Sequence, residues 1–172
     1  MASRATTAMS KDAMAIRLVR REDRADWMRL WTAYHAHGRS SAPAVPDMLT
    51  EATWNGFFHG HEPMEALVAE QAARIVGFAH MVFHRSTSAT GLVCFLQDLF
   101  VDESLRGKGV GRALVEAVYT NAHAAGAARV YWHVREENTA ALRLYDSVAA
   151  RSGHVVYSKD LRRSAGAGRK TR

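Results

Sequence analysis

The sequence predicts an α+β (mixed α/β) domain, with a central mixed, mostly antiparallel sheet flanked by helices on both sides. Three observations carry that prediction. Apolar residues first recur at helical spacing, in Trp27, Leu30, Trp31 and Tyr34. The period then shortens to that of strands in three runs between Ala66 and Val101, separated by short polar links. From Gly91 onward, strand and helix alternate, which implies at least one parallel crossover.

Taken in order, residues 1–14 are small and polar and read as a flexible leader. Residues 15–160 read as one domain, and 161–172 as a disordered basic tail. A strand is expected over 16–19, with Arg21, Glu22 and Asp23 as a helix entry. The first helix runs from Asp23 until Gly38 stops it. A Ser/Ala/Pro loop covers 38–46, and a shorter helix covers about 47–58. Residues 66–70 and 74–84 pair as a hairpin through the tight link 71–73. After a polar turn at 86–90, a third strand spans 91–101. The remainder reads as a helix over 109–125, a strand over 129–134, a helix over 139–149 and a final strand over 154–158.

Composition narrows the function. Hydrophobic residues make up 48% and charged residues 23% of the 172, the balance of a soluble globular chain large enough to bury a core without staples. Cys94 is the one cysteine, so neither an internal disulfide nor a cysteine-based zinc site is expected. No apolar stretch approaches the ~20 residues of a membrane span. Residues 1–15 lack the continuous apolar core of a secretory signal. The reading is therefore a cytoplasmic protein without a membrane partner. The net charge of +6 suits a polyphosphate ligand or nucleic acid. Much of it, however, comes from Arg162, Arg163, Arg169, Lys170 and Arg172 in the Gly/Ala-rich tail, and the rest of the chain is close to neutral. Charge alone does not argue for a nucleic-acid partner.

The most informative stretch joins the third strand to the next helix: Arg106, Gly107, Lys108, Gly109, Val110, Gly111 and Arg112. The first N–H groups of a helix lack intrahelical partners and carry the positive end of its macrodipole. Three glycines allow a ligand close to that backbone, and three basic side chains surround it. Together they make an anion site suited to a diphosphate. The P-loop needs Ser or Thr after Gly-Lys, and Gly109 stands there instead. The dinucleotide fingerprint fails on spacing and on the antiparallel strands that come first.

This loop resembles the [Arg/Gln]-x-x-Gly-x-[Gly/Ala] signature of the GNAT N-acetyltransferase superfamily. The resemblance is specific over about 92–158, and the branch acting on polyamines, small amines, amino acids and histone tails is the most similar. It implies a GNAT fold and acetyl-CoA as co-substrate. The loop would cradle the pyrophosphate, and Leu99, Phe100 and Val101 would pair with the pantetheine arm. It also implies an oxyanion-stabilising N–H near Leu99, where the family's strand bulges.

A second constellation begins at Asn138, whose side chain suits a helix N-cap. Tyr145 follows seven residues later, about two turns and roughly 10 Å along the axis on nearly the same face. With Ala141 between them, this matches the family's Asn-x-x-[Ala/Ser]-x-x-x-Tyr pattern. The resemblance implies that Asn138 and Ala141 contact the cofactor and that Tyr145 protonates the departing thiolate.

The acceptor side is less determined. Asp98 and Glu136 lie near the ends of adjacent strands and suit attraction and deprotonation of a cationic amine. Gln97 stands where some polyamine acetyltransferases carry glutamate. Trp31 and Tyr34, with Trp27 and Trp54, fall on the helices that line the family's acceptor cleft, and Trp132 and His133 alternate on a strand. The acceptor class is a small-molecule amine or a protein lysine. Nine histidines include the pair His80 and His84 on one strand face, but no carboxylate-rich motif accompanies them. They read as surface or cleft residues, with no metal. The rival readings are a catalytically silent acetyl-CoA sensor and a basic nucleic-acid-binding module. Against the latter, no aromatic residue interleaves the basic run from Arg106 to Arg112. A homodimer is expected by the same resemblance.

Overall fold

A computed structural model describes residues 13–37 and 45–161. The expected leader, the loop over 38–46 and the basic tail therefore fall largely or wholly outside the described residues. β1 (Ala15–Leu18) leads through a 3-10 turn at Arg21–Asp23 into α1 (Arg24–Ala36), followed by α2 (Asp47–Gly56). β2 (Met64–Gln71), β3 (Arg74–Arg85) and β4 (Leu92–Val101) come next, and then α3 (Val110–Ala124), β5 (Ala127–Tyr131) and α4 (Thr139–Asp146). The sheet order is β1-β2-β3-β4-β5, antiparallel except for the parallel β4–β5 pair that α3 bridges.

Period-2 alternation divides the sheet into two covered faces. α1 and α2 cover one, where Trp27, Leu30, Trp31 and Trp54 pack on Val68, Phe78 and Phe100. α3 covers the other, with Val110, Leu114, Val115 and Val118 against Leu67, Ala79, Met81, Cys94 and Leu96. The entry to α1 is pinned by Arg17, which donates to Asp23 at 2.7 and 2.8 Å and to Glu70 at 2.6 Å. These bonds tie β1, the 3-10 turn and β2 together.

Three irregularities matter. The β2–β3 link places Ala72 and Ala73 at φ 50° and 58°, a left-handed pair that a two-residue hairpin requires and alanine resists. Across β3 and β4, His80 faces Asp98 while Met81 faces Leu96, so Gln97 is a bulge. The parallel ladder ends at Phe95 and Tyr131. Beyond that point, 96–101 of β4 have no partner on β5, and the two strands leave an open seam.

The final strand expected over 154–158 does not form. Those residues are irregular and exposed, with Val155 at 76% and Tyr157 at 92%. A β-rich run becomes a strand only against a ladder partner; none is present among the described residues, where the outer edge of β5 is unpaired. α4 is also shorter than expected, ending at Asp146. Among the described residues, no helix is long and apolar enough to cross a membrane.

Candidate functional site

The turn between β4 and α3 is built for an anion. Asp102 caps a 3-10 turn at Glu103–Leu105, accepting from the Ser104 N–H. Gly107 and Gly109 then take φ of 75° and 87°, with open space where a side chain would begin. Left-handed residues in a tight turn can aim successive N–H groups toward one point. Gly109 is the N-cap of α3, and the first helical bond runs from the Ala113 N–H to the Gly109 carbonyl at 3.0 Å. The amides of Val110, Gly111 and Arg112 have no intrahelical acceptor. No acidic residue lies in that first turn. Gly111 lets α4 approach, since a Cβ there would lie 3.3 Å from Leu144 Cδ2.

The basic side chains around the turn do different things. Arg106 pairs with Glu103 at 3.2 Å and lies over the Phe100 ring at 5.3 Å. Arg112 donates to Ser147 Oγ at 2.8 Å, joining α3 to the end of α4. Lys108 is exposed. Val110 points into the core, so it can offer a ligand only its backbone. A diphosphate fits this turn because its donors are mainly main-chain and no carboxylate competes in the first helical turn.

The cradle opens at the end of the unpaired half of β4, which contains Leu99, Phe100 and Val101. After β5, Asn138 caps α4 by accepting from the Ala141 N–H at 3.1 Å. Tyr145 packs against Trp132 with ring centroids 5.1 Å apart, and its burial raises the phenol above its ordinary pKa. Its hydroxyl bonds no protein group among the described residues. Trp132 thus belongs to the Tyr145 side, while His133 lies against Phe95 at 5.1 Å. Glu136 is exposed in the turn before α4.

On the opposite face lies a buried polar chain. Tyr34 Oη donates to Asp98 Oδ1 at 2.6 Å, His80 Nδ1 lies 3.0 Å from Asp98 Oδ2, and Trp27 Nε1 donates to His80 Nε2 at 3.0 Å. Burial lowers the His80 pKa. Burial would push Asp98 up, but the bonds from His80 and Tyr34 outweigh it and hold the carboxyl below its usual range. Asp98 does not bond Arg106. Trp31, expected at the acceptor cleft, is a core residue whose N–H donates to Thr50 Oγ1 at 3.2 Å. The bulge expected near Leu99 falls at Gln97, whose side chain is exposed.

Sequence reasoning missed His80. Read as a surface or cleft histidine, it is 2% exposed and fully enclosed by aromatic rings, among them Phe78 at 4.3 Å and Phe57 at 4.7 Å. The available signal was its place inside an apolar run in register with Phe78, where a polar side chain needs a partner. No group of three or more possible metal ligands occurs among the described residues.

An amide cradle at the head of a helix, opening onto a strand with one edge unpaired, suits a ligand that carries a diphosphate on an extended, hydrogen-bonding arm. The chain belongs to the acetyltransferase (GNAT) family, whose model matches residues 24–149, and is an acetyl-CoA-dependent N-acetyltransferase. It is similar to the D-amino-acid N-acetyltransferase HPA3 of Saccharomyces cerevisiae, at 30% identity over 154 residues, covering 88% of this chain and 94% of that protein. Its fold is similar to ribosomal-protein-alanine N-acetyltransferase from Brucella melitensis biovar Abortus 2308, with TM-score 0.73, 21% identity, and coverage of 86% and 97% of the two chains. Aminoglycoside N-acetyltransferase AAC(6')-Iy in complex with CoA matches with TM-score 0.73 at 19% identity, covering 87% of this chain and 96% of that one.

Proposed function

We propose that this acetyltransferase acylates a primary amine by direct attack within a ternary complex, with a polyamine, an amino acid or a lysine side chain as the acceptor class. The observation that carries the reading is the pair of left-handed glycines beside three amides without helical acceptors, at the end of the unpaired half of β4. The relative that acts on D-amino acids makes the amine of an amino acid the first acceptor to test.

Acetyl-CoA supplies the activated acetyl thioester. Backbone amides from Gly107 to Arg112 grip its diphosphate, with Lys108 adding charge. The free edge around Leu99, Phe100 and Val101 aligns its arm, and Asn138 and Ala141 close the far side. An alkyl amine has a pKa near 10.4, so only about one molecule in 10³ is uncharged at pH 7. Asp98 attracts the cationic form, with Gln97, Tyr34 and Glu136 at the acceptor end. One proton must then leave through water before nitrogen attacks the carbonyl carbon. As the C–N bond forms and the C–S bond breaks, an N–H near the Gln97 bulge stabilises the oxyanion. Tyr145 donates a hydrogen bond to the leaving sulfur. With a phenol near 10 and a thiol near 8.5, full transfer is uphill by roughly 2 kcal/mol; burial increases that difference, so protonation follows departure.

Direct attack is supported by Cys94. Burial and the charge of Glu65 push its thiol up to about 11, so the one cysteine offers no ready thiolate to carry the acetyl group. Initial-velocity plots with both substrates varied should therefore intersect; parallel lines would reverse this assignment. Thiol release from acetyl-CoA across spermidine, lysine, D-amino acids and a lysine peptide tests the acceptor class. Binding of acetyl-CoA without release from any of them would indicate a sensor. A homodimer is supported by the edge of β5, unpaired among the described residues, and by the exposed apolar residues Val155, Val156 and Tyr157. A monomeric mass in light scattering would refute it.

A further inference from the structure

Trp27, His80, Asp98 and Tyr34 form a hydrogen-bonded chain with one consistent assignment of protons. An indole N–H can only donate. His80 Nε2 must therefore carry a lone pair toward Trp27, which leaves its proton on Nδ1, facing Asp98. The tyrosyl hydroxyl donates to the other carboxylate oxygen. Protonating His80 would set two N–H groups against each other at the Trp27 end. The ring is thus locked neutral, and Asp98 receives two donors that bring no positive charge.

We propose that His80 is a positioning residue of the acetyl transfer: with Tyr34 it fixes Asp98 as an oriented carboxylate whose counterion is the ammonium of the acceptor. This rests on the function proposed above and deepens its substrate class to alkylammonium compounds rather than amines that are neutral in solution. Three observations support it. Asp98 is bonded by no arginine or lysine among the described residues. Arg106, the nearest such candidate in sequence, is engaged by Glu103 and Phe100. Asp98 also adjoins the Gln97 bulge in the unpaired half of β4, at 11% side-chain exposure, while His80 behind it is sealed.

The surroundings are otherwise aromatic. Phe78 from β3, Phe57 after α2, and Trp27 and Trp31 from α1 enclose the imidazole. His35, also on α1, is the other titratable group whose charge bears on Asp98. A carboxylate in such a setting favours a cation strongly, because little water screens the pair. Two donors also lower its affinity for protons, so Asp98 acts as an anchor and water removes the proton.

The test compares wild type, His80→Leu, His80→Asn and Trp27→Phe in steady-state assays with acetyl-CoA. The acceptors are an alkylamine that is charged at the assay pH and an arylamine of similar size that is not. Asparagine can place an N–H near the Nδ1 position, whereas leucine cannot. H80L should raise KM for the alkylamine by about tenfold or more, the loss of one charged hydrogen bond. It should also move the acid limb of kcat/KM to higher pH, leaving KM for acetyl-CoA and for the arylamine unchanged. H80N should restore most of the loss. W27F frees the imidazole to titrate, so its alkylamine KM should rise as pH falls below the ordinary histidine range. If H80L lowers thermal stability alone, with amine KM and pH profile unmoved, the chain is only structural and the proposal fails. If H80L does not fold, Tyr34→Phe takes its place, judged by the same acid limb. Failure of wild type to acetylate any amine, despite binding acetyl-CoA, would instead overturn the function proposed above.

Discussion

Ala72 and Ala73 make the clearest residue-scale case of strain, because both sit where an L side chain crowds its own carbonyl. Ala73→Gly removes that crowding, although glycine gains freedom in the unfolded chain. The net effect should be stabilisation of about 1 kcal/mol, or about 2–4 °C in a thermal melt. An unchanged or lower melting temperature would refute this. At Tyr145 the phenol has no protein hydrogen-bond partner among the described residues, so Tyr145→Phe should leave acetyl-CoA affinity within a few-fold and lower kcat clearly. Unchanged turnover at saturation would remove the hydroxyl from the mechanism. Asp98 and Tyr34 were both expected on the acceptor side, and the bond between them was not legible in the sequence. It depends on how α1 crosses the sheet, which local sequence does not encode. His80 was hidden for the same reason: its partners come from α1 and β4, far away in the chain.

Elements whose logic is local were read well. The glycine loop leads into a helix, Asn138 caps the next one, and the switch from helical to strand period locates β2, β3 and β4 to within a few residues. The missing last strand shows the limit. Val155, Val156 and Tyr157 have the right propensity, but a strand is a property of a pair. The Gln97 bulge and the early end of the β4–β5 ladder were invisible as well, since both are mismatches between two strands. At the head of α3, Gly109→Ala puts a side chain at φ 87°, at a cost of about 1–2 kcal/mol. The exchange should weaken acetyl-CoA about tenfold in calorimetry while the secondary structure persists. Wild-type affinity in G109A would mean that the left-handed turn does not shape the site.

The whole molecule should be less stable in acid, and the sign follows from three groups. His80 has a lowered pKa when folded, so its contribution is complete above about pH 6.5 and declines below, as the unfolded chain takes up the proton. Asp23 and Asp98 are lowered by their hydrogen-bonded partners, outweighing burial, and their contributions are lost below about pH 4. The melting temperature should therefore fall in two stages from pH 7 to pH 3, and H80N should lack the first. A flat profile down to pH 4 would contradict the buried neutral imidazole. The two-layer core was foreseeable from the apolar patterning, yet the placement of Asp98 and Tyr145 on opposite faces of the sheet was not. Asp98 lies on the α1 side, bonded to Tyr34, and Tyr145 on the α3 side, packed against that core.

The open seam between β4 and β5 gives the apoprotein an unfinished edge. Along 96–101, the side of β4 that faces away from β3 has no ladder partner among the described residues. A pantetheine chain, itself carrying two amides, can serve as the missing strand, so that occupancy completes the sheet. Amide hydrogen exchange in that stretch should then be fast without ligand and slow with it. Extended peptide-like compounds should compete for the same edge, without carrying any phosphate.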